Sequence, residues 1–219
     1  MPNDTPAYRD SHGRTLTDYP RPSVAVDTAV LTVEDNALCV LLTPESRAHR
    51  TSGWALPGTF LHPGETLREA ALRALRTKAG VEGLDPRQLH VFDAPDRDDR
   101  GWVLSVAHVD AVRADRIPRT ATTRIVPVAE VPPLPYDHRA ILNAAVDDLR
   151  AEHAARPDPR GLLGPEPFTV RDLRVLHEAV TGERVNADTF RRAMLPGLRA
   201  TGELRRGARG KPAELFVRA

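Results

Sequence analysis

The 219-residue chain has a single cysteine, Cys39, so it can form no internal disulfide. A lone thiol suits a reducing compartment, and the expected location is cytoplasmic. Cys39 sits in the apolar run 37–42 and reads as a small buried hydrophobe rather than a reactive or ligating thiol. No apolar run approaches the roughly 18 residues that a membrane-spanning helix needs, so no membrane partner is expected. Asp4, Arg9, Asp10 and Arg14 punctuate the first residues without an apolar core, so these do not read as a signal peptide. The eight histidines show no zinc-ligand spacing. No glycine-rich phosphate loop or nucleophile elbow occurs. What remains is 41% hydrophobic and 28% charged, a balance that supports a folded core. The length allows one large domain or two small ones.

The net charge of +1 conceals an asymmetry. From Pro165 onward there are 11 basic residues against 7 acidic ones, and the rest of the chain holds 20 against 23. A basic tail on an acidic body points to a nucleic-acid partner. A solvated basic surface would look the same by charge alone.

The order of elements divides the chain into an N-terminal arm at 1–22, a domain at 23–153, a Pro- and Gly-bearing linker at 154–167 and a second unit at 168–219. Residues 24–33 are β-branched and mostly apolar, a strand buried on both faces for much of its length. Glu34, Asp35 and Asn36 turn the chain into a second strand over 38–43. Residues 89–92, 102–109 and 125–128 read as further strands, the last an edge because of Pro127. A helix capped by Asp137 runs to about Glu152. In the tail, Thr169 caps a helix that Gly182 closes. A second helix opens at Asn186 or Ala187 and ends at Pro196-Gly197, with Phe190, Ala193 and Met194 turned inward. Short strands at 204–206 and 214–217 flank a basic turn. Helix, turn, helix and basic hairpin together form a winged helix-turn-helix.

Residues 56–81 are the centre of the first domain. Pro57-Gly58 and Pro63-Gly64 are turn signals, Thr66 and Glu69 form a capping box, and Gly80 stops the helix. Leu67, Ala71 and Leu75 give it one apolar face. The stretch resembles the Nudix box, G-x5-E-x7-R-E-U-x-E-E-x-G-U, where U is aliphatic. Glu65, Arg73, Leu75, Gly80 and Val81 match. Thr59 stands at the opening glycine, directly after Gly58. Ala74, Thr77 and Lys78 stand where the family carries the glutamates that hold divalent metals. Residues 93–107, with D-x-x-R-D-x-R-G and S-V-A, are similar to a stretch of the Nudix-related transcriptional regulators, the NrtR family. The tail pattern F-T-x-x-x-L, F-R-R and G-K-P-A-x-L-F resembles the C-terminal domain of the same regulators.

The resemblance implies an α+β chain, a Nudix-fold α/β/α sandwich with a mixed sheet followed by a winged helix-turn-helix domain. It implies a homodimer on double-stranded operator DNA, repression of genes of NAD or related metabolism, and ADP-ribose or a related nucleotide as effector. No cofactor, metal site or catalytic residue is expected. A divergent hydrolase of a nucleoside diphosphate derivative, with relocated metal ligands, is the enzymatic alternative. An RNA-binding or protein-docking module is a third reading.

The candidate ligand residues are Trp54, Phe60, Glu65, Lys78, Arg97 and Arg100. Lys78 can meet a phosphate as a point charge, or simply complement the helix C-terminus. Trp54 and Phe60 can stack on a base or pack in the core. Arg97, Asp98 and Arg100 can contact a ligand or a partner subunit, or belong to a solvated hairpin with local ion pairs. The candidate DNA residues are Asn186, Thr189, Arg191 and Arg192 on the recognition helix, with Arg209 and Lys211 in the wing.

Overall fold

Residues 8–45, 52–206 and 211–219 are described in a computed structural model of the chain. The β-branched run becomes β1 (Ser23–Glu34), and Asp35 and Asn36, with φ of 49° and 59°, reverse it into β2 (Ala37–Pro44). Asp and Asn enter this left-handed region more readily than other side chains do, which suits them to the hairpin turn. The short strands β3 (Trp54–Ala55) and β4 (Gly58–Phe60) lead into α1 (Leu67–Ala74). Its capping box is formed: the Thr66 hydroxyl accepts from the Glu69 N–H at 3.2 Å, and Glu69 accepts from the Thr66 N–H at 2.8 Å. Beyond Ala74 the helix widens into a π turn over Leu75–Ala79, and Gly80, at φ 64°, ends it. Then come β5 (Arg87–Phe92), β6 (Val103–Ala111), β7 (Arg124–Pro127) and α2 (His138–Ala155).

The strands form one mixed sheet in the order β3-β2-β1-β6-β5, with β4 also paired to β1 and β7 to β2. β1 and β6 are parallel, and the other pairs are antiparallel. One face packs on α1 and its π turn through Val26, Ala70 and Ala71, and through Val30, Leu41, Leu75 and Ala79. The other packs on α2, where Ile141, Leu142, Ala145 and Leu149 meet Ala29, Leu31 and Val109. This is the α/β/α sandwich that the resemblance implied. The buried face of α1 is carried by Ala70, Ala71 and Ala74, while Leu67 is only half-buried.

The C-terminal unit contains α3 (Val170–Thr181), α4 (Ala187–Met194), β8 (Leu198–Arg205) and β9 (Ala213–Arg218). Thr169 and Gly182 cap α3 as expected. β8 begins six residues before the expected strand, because it pairs with β9 on both sides of a bulge, Leu198 with Arg218 and Leu204 with Glu214. Phe168, Leu173, Phe190, Met194 and Phe216 make its core. Ala193, expected inward, is exposed. Phe190 and Met194, four residues apart, already define the inward face, and Ala193 falls outside it.

Residues 154–167 do not hang between the two units. α2 continues to Ala155. Asp158 is buried and accepts from the Leu162 and Leu163 N–H groups at 2.7 and 3.0 Å, and it pairs with Arg218 of β9. Leu176 and Val180 of α3 belong to the same buried cluster as Ala145, Val146 and Leu149 of α2. The winged helix is therefore packed on the sandwich through a shared apolar core.

Candidate functional site

β4, the π turn, the 93–101 loop and the N-terminal end of α2 surround a cleft of about 450 Å³, within the range of small-molecule sites. Its floor is a buried polar network. Asp27 interrupts the apolar sequence of β1 and is 7% exposed. The Ser105 hydroxyl donates to Asp27 Oδ2 at 2.6 Å, His138 Nε2 lies 3.3 Å from Oδ1, and the Arg97 guanidinium is 3.6 Å from Oδ2. The Leu56 N–H donates to His138 Nδ1 at 3.1 Å. That nitrogen must therefore accept, so the ring proton sits on Nε2, facing Asp27. Burial opposes the charge on Asp27 more than any one partner favours it. Contact with His138, Ser105 and Arg97 together still holds its carboxyl below the ordinary range.

Arg97 and Arg100 both line the cleft, but differently. Arg97 is buried and committed, its Nε donating to Asp137 at 2.8 Å. Asp137 was expected to cap α2, but its side chain makes no cap bond and serves Arg97 instead. Arg100 is forked onto Asp98, with Nε donating at 2.8 Å. Its guanidinium carbon also lies 5.0 Å from the Phe60 ring centre and 4.8 Å from that of Tyr136. The 93–101 loop is thus anchored by buried acid–base pairs, not merely solvated.

Thr77 and Lys78 face the cleft from the π turn. Ala74 does not: it is fully buried in the core. The π turn replaces i→i+4 bonding by i→i+5, so the three positions no longer share the single face that a regular helix would give them. The Thr77 hydroxyl donates to the Arg73 carbonyl.

Glu65 and Trp54 stand outside the cleft wall. Arg73 clamps Glu65, Nε to Oε1 at 2.7 Å and Nη2 to Oε2 at 2.8 Å, and it also donates to the Phe60 carbonyl and the Thr59 hydroxyl. The Arg73 bond, with the His62 N–H adding to it, pulls the Glu65 carboxyl down to about 2. Trp54 packs at the edge of the core under the Arg124 guanidinium, 4.3 Å from its ring centre. Asp98, which the sequence already grouped with Arg97 and Arg100, also lines the cleft, whereas Asp27, Ser105, Tyr136 and His138 were not singled out from the sequence. An acid inside a strand buried on both faces is the signal that could have found Asp27, because such a charge must be paired.

On the winged helix, Asn186 is the N-cap of α4, its Oδ1 accepting from the Asp188 and Thr189 N–H groups at 3.0 and 3.1 Å. Thr189, Arg191, Arg192 and Lys211 are exposed. Arg209 lies outside the described residues. Helix, turn, helix and hairpin place α4 and the β8-β9 wing side by side, the arrangement by which such domains enter a groove.

Residues 21–147 match the NUDIX domain family, and residues 162–217 match the NrtR DNA-binding winged helix domain. The chain is 28% identical over 208 residues to the ADPR responsive transcriptional repressor NtrR of Acinetobacter baylyi, covering 91% of this chain and 83% of that protein. It is 30% identical over 127 residues to an ADP-ribose pyrophosphatase of Methanocaldococcus jannaschii, covering 57% and 73%. The crystal structure of Shewanella oneidensis NrtR complexed with a 27mer DNA is similar with a TM-score of 0.73 at 30% identity, covering 90% of this chain and 93% of that one. The NUDIX domain of the same protein complexed with ADP ribose gives a TM-score of 0.55 at 28% identity, covering 63% and 95%. This chain belongs to the NUDIX family, in the NrtR group that joins a NUDIX domain to a C-terminal DNA-binding winged helix.

Proposed function

We propose that the chain is a transcriptional repressor that binds operator DNA through its winged helix and is controlled by ADP-ribose in the NUDIX cleft. One observation carries the coupling. The start of α2 holds His138 beside Asp27 at the cleft, and the same helix packs through Ala145, Val146 and Leu149 on Leu176 and Val180 of the reader. A ligand that moves the cleft end of α2 moves the surface on which α3 rests. In a homodimer this alters the spacing of the two recognition helices, and a fixed half-site spacing tolerates little change.

The cleft suits a nucleoside diphosphate sugar. Phe60 and Tyr136 offer ring faces, and Lys78 offers a cation that makes no ion pair among the described residues. Arg97 is spent on holding Asp137 and Asp27 together, so Lys78 is the cation left for a diphosphate, with Arg100, forked onto Asp98, bordering the same cleft.

The metals of NUDIX hydrolases do not fit these residues. Mg²⁺ needs several oxygen ligands in near-octahedral geometry. The π turn presents Thr77 and Lys78, Glu65 is clamped by Arg73, and Glu69 is used in the capping box. Among the described residues no three His, Cys, Asp or Glu side chains come together in a way that could hold a metal ion. These observations support a sensor rather than a hydrolase. The test is anisotropy of a labelled duplex from the chain's own upstream region. The full chain should raise it and ADP-ribose should lower it again. Binding that ignores ADP-ribose would contradict the reading.

A further inference from the structure

Helix geometry separates two adjacent arginines of α4. At about 100° per residue, the buried Phe190 and Met194 mark the face turned to the core, and the opposite direction falls on Arg192, with Asp188 and Thr189 on either side. All three are exposed. Arg191 points sideways, to the wing. Its guanidinium lies 3.3 Å from the Glu214 carboxylate and 5.6 Å from the Phe216 ring centre, both on β9. Arg192 makes only a 3.4 Å contact to the Asp188 carbonyl among the described residues, and the Asp188 carboxylate pairs with none of them.

Resting on the DNA-binding reading above, we propose that Arg192 and Asp188 are the base-reading side chains of α4, and that Arg191 is a positioning residue which braces the helix against the wing. The chemistry differs at each position. A guanidinium presents two parallel N–H donors that match guanine O6 and N7 in the major groove, and a carboxylate accepts from the cytosine N4 amino group. The two residues stand one turn apart, about 6 Å along the axis, so they reach neighbouring base pairs. Asp188 also constrains the docking. A carboxylate facing phosphates would be repelled, so this face must look at base edges. The ligand is therefore a duplex whose half-sites carry a G·C pair beneath Arg192. Arg191 cannot reach the same groove floor without breaking its pair with Glu214.

The test is selection of the full chain on a randomised duplex library. The wild type should enrich a motif with guanine at one fixed position per half-site. Arg192→Ala should lose that preference by about tenfold or more and keep the flanking ones. Arg192→Lys, which keeps the charge without the fork, should lose it too. Asp188→Asn should relax the neighbouring position. Arg191→Ala and Glu214→Gln should weaken binding to all sequences alike and leave the motif unchanged, which a base contact could not do. An unaltered motif in Arg192→Ala and Arg192→Lys, or a lost base in Arg191→Ala, overturns the assignment. A wild type that enriches no motif overturns the DNA-binding reading itself.

Discussion

A β-carbon on residue 58 would stand 1.9 Å from Asp27 Oδ1, so Gly58 and Asp27 occupy space that no other residue pair with a side chain at 58 could share. The two are register partners between β4 and β1. The close approach lets the box loop run over the buried carboxylate, which in turn holds His138. Gly58→Ala is expected to displace Asp27 and cost about 1–3 kcal/mol, as overpacking does. Thermal unfolding should show the loss, and calorimetry should show weakened ADP-ribose binding in the protein that remains folded.

Arg97 and Lys78 should separate stability from binding. Arg97→Ala leaves Asp27 and Asp137 without their shared cation and should cost about 3–5 kcal/mol, read as a lower Tm. Lys78→Ala should leave Tm unchanged and weaken ADP-ribose about tenfold or more, the value of one charge-assisted contact.

The Glu65–Arg73 clamp should be visible in acid. Glu65 titrates at about 2 in the folded chain against an ordinary value of 4.5, so its stabilising effect is complete above 4.5 and is lost as pH falls toward 2. Glu65→Gln should lower Tm at neutral pH, and the gap to wild type should close over that window. A gap that is independent of pH would remove the charge from the explanation.

His153 reports on the junction between sensor and reader. It is 1% exposed on α2, its Nε2 has no hydrogen-bond partner among the described residues, and burial pushes it down to about 4. An unfolded histidine binds its proton near 6.5, so stability falls between 6.5 and about 4, by up to roughly 3 kcal/mol. His153→Gln should flatten the Tm profile there. Because Leu176 and Val180 share a core with α2, both units should melt in one transition.

Local chemistry was legible in the sequence. The capping box at Thr66, the cap at Thr169 and the stops at Gly80 and Gly182 depend on residues a few positions apart, and each formed as expected. Contacts made by the sheet were not. Asp27 and His138 are 111 positions apart and meet only because β1, β4 and the start of α2 converge. The π turn was equally hidden: a regular helix would set Ala74 on one face with Thr77 and Lys78, whereas Ala74 packs in the core. Glu65 and Trp54 carried the right chemistry for a ligand, yet Arg73 and Arg124 occupy them. Arg191 and Arg192 are indistinguishable by composition, and the buried face set by Phe190 and Met194, together with the position of β9, sets them apart.

The most direct test of the account is release of the upstream duplex by ADP-ribose, measured in EDTA and in Mg²⁺. Release should be equal in both, with the nucleotide recovered intact, if Lys78 takes the place that metals hold in the hydrolases. Release that requires Mg²⁺ and is accompanied by AMP would contradict it.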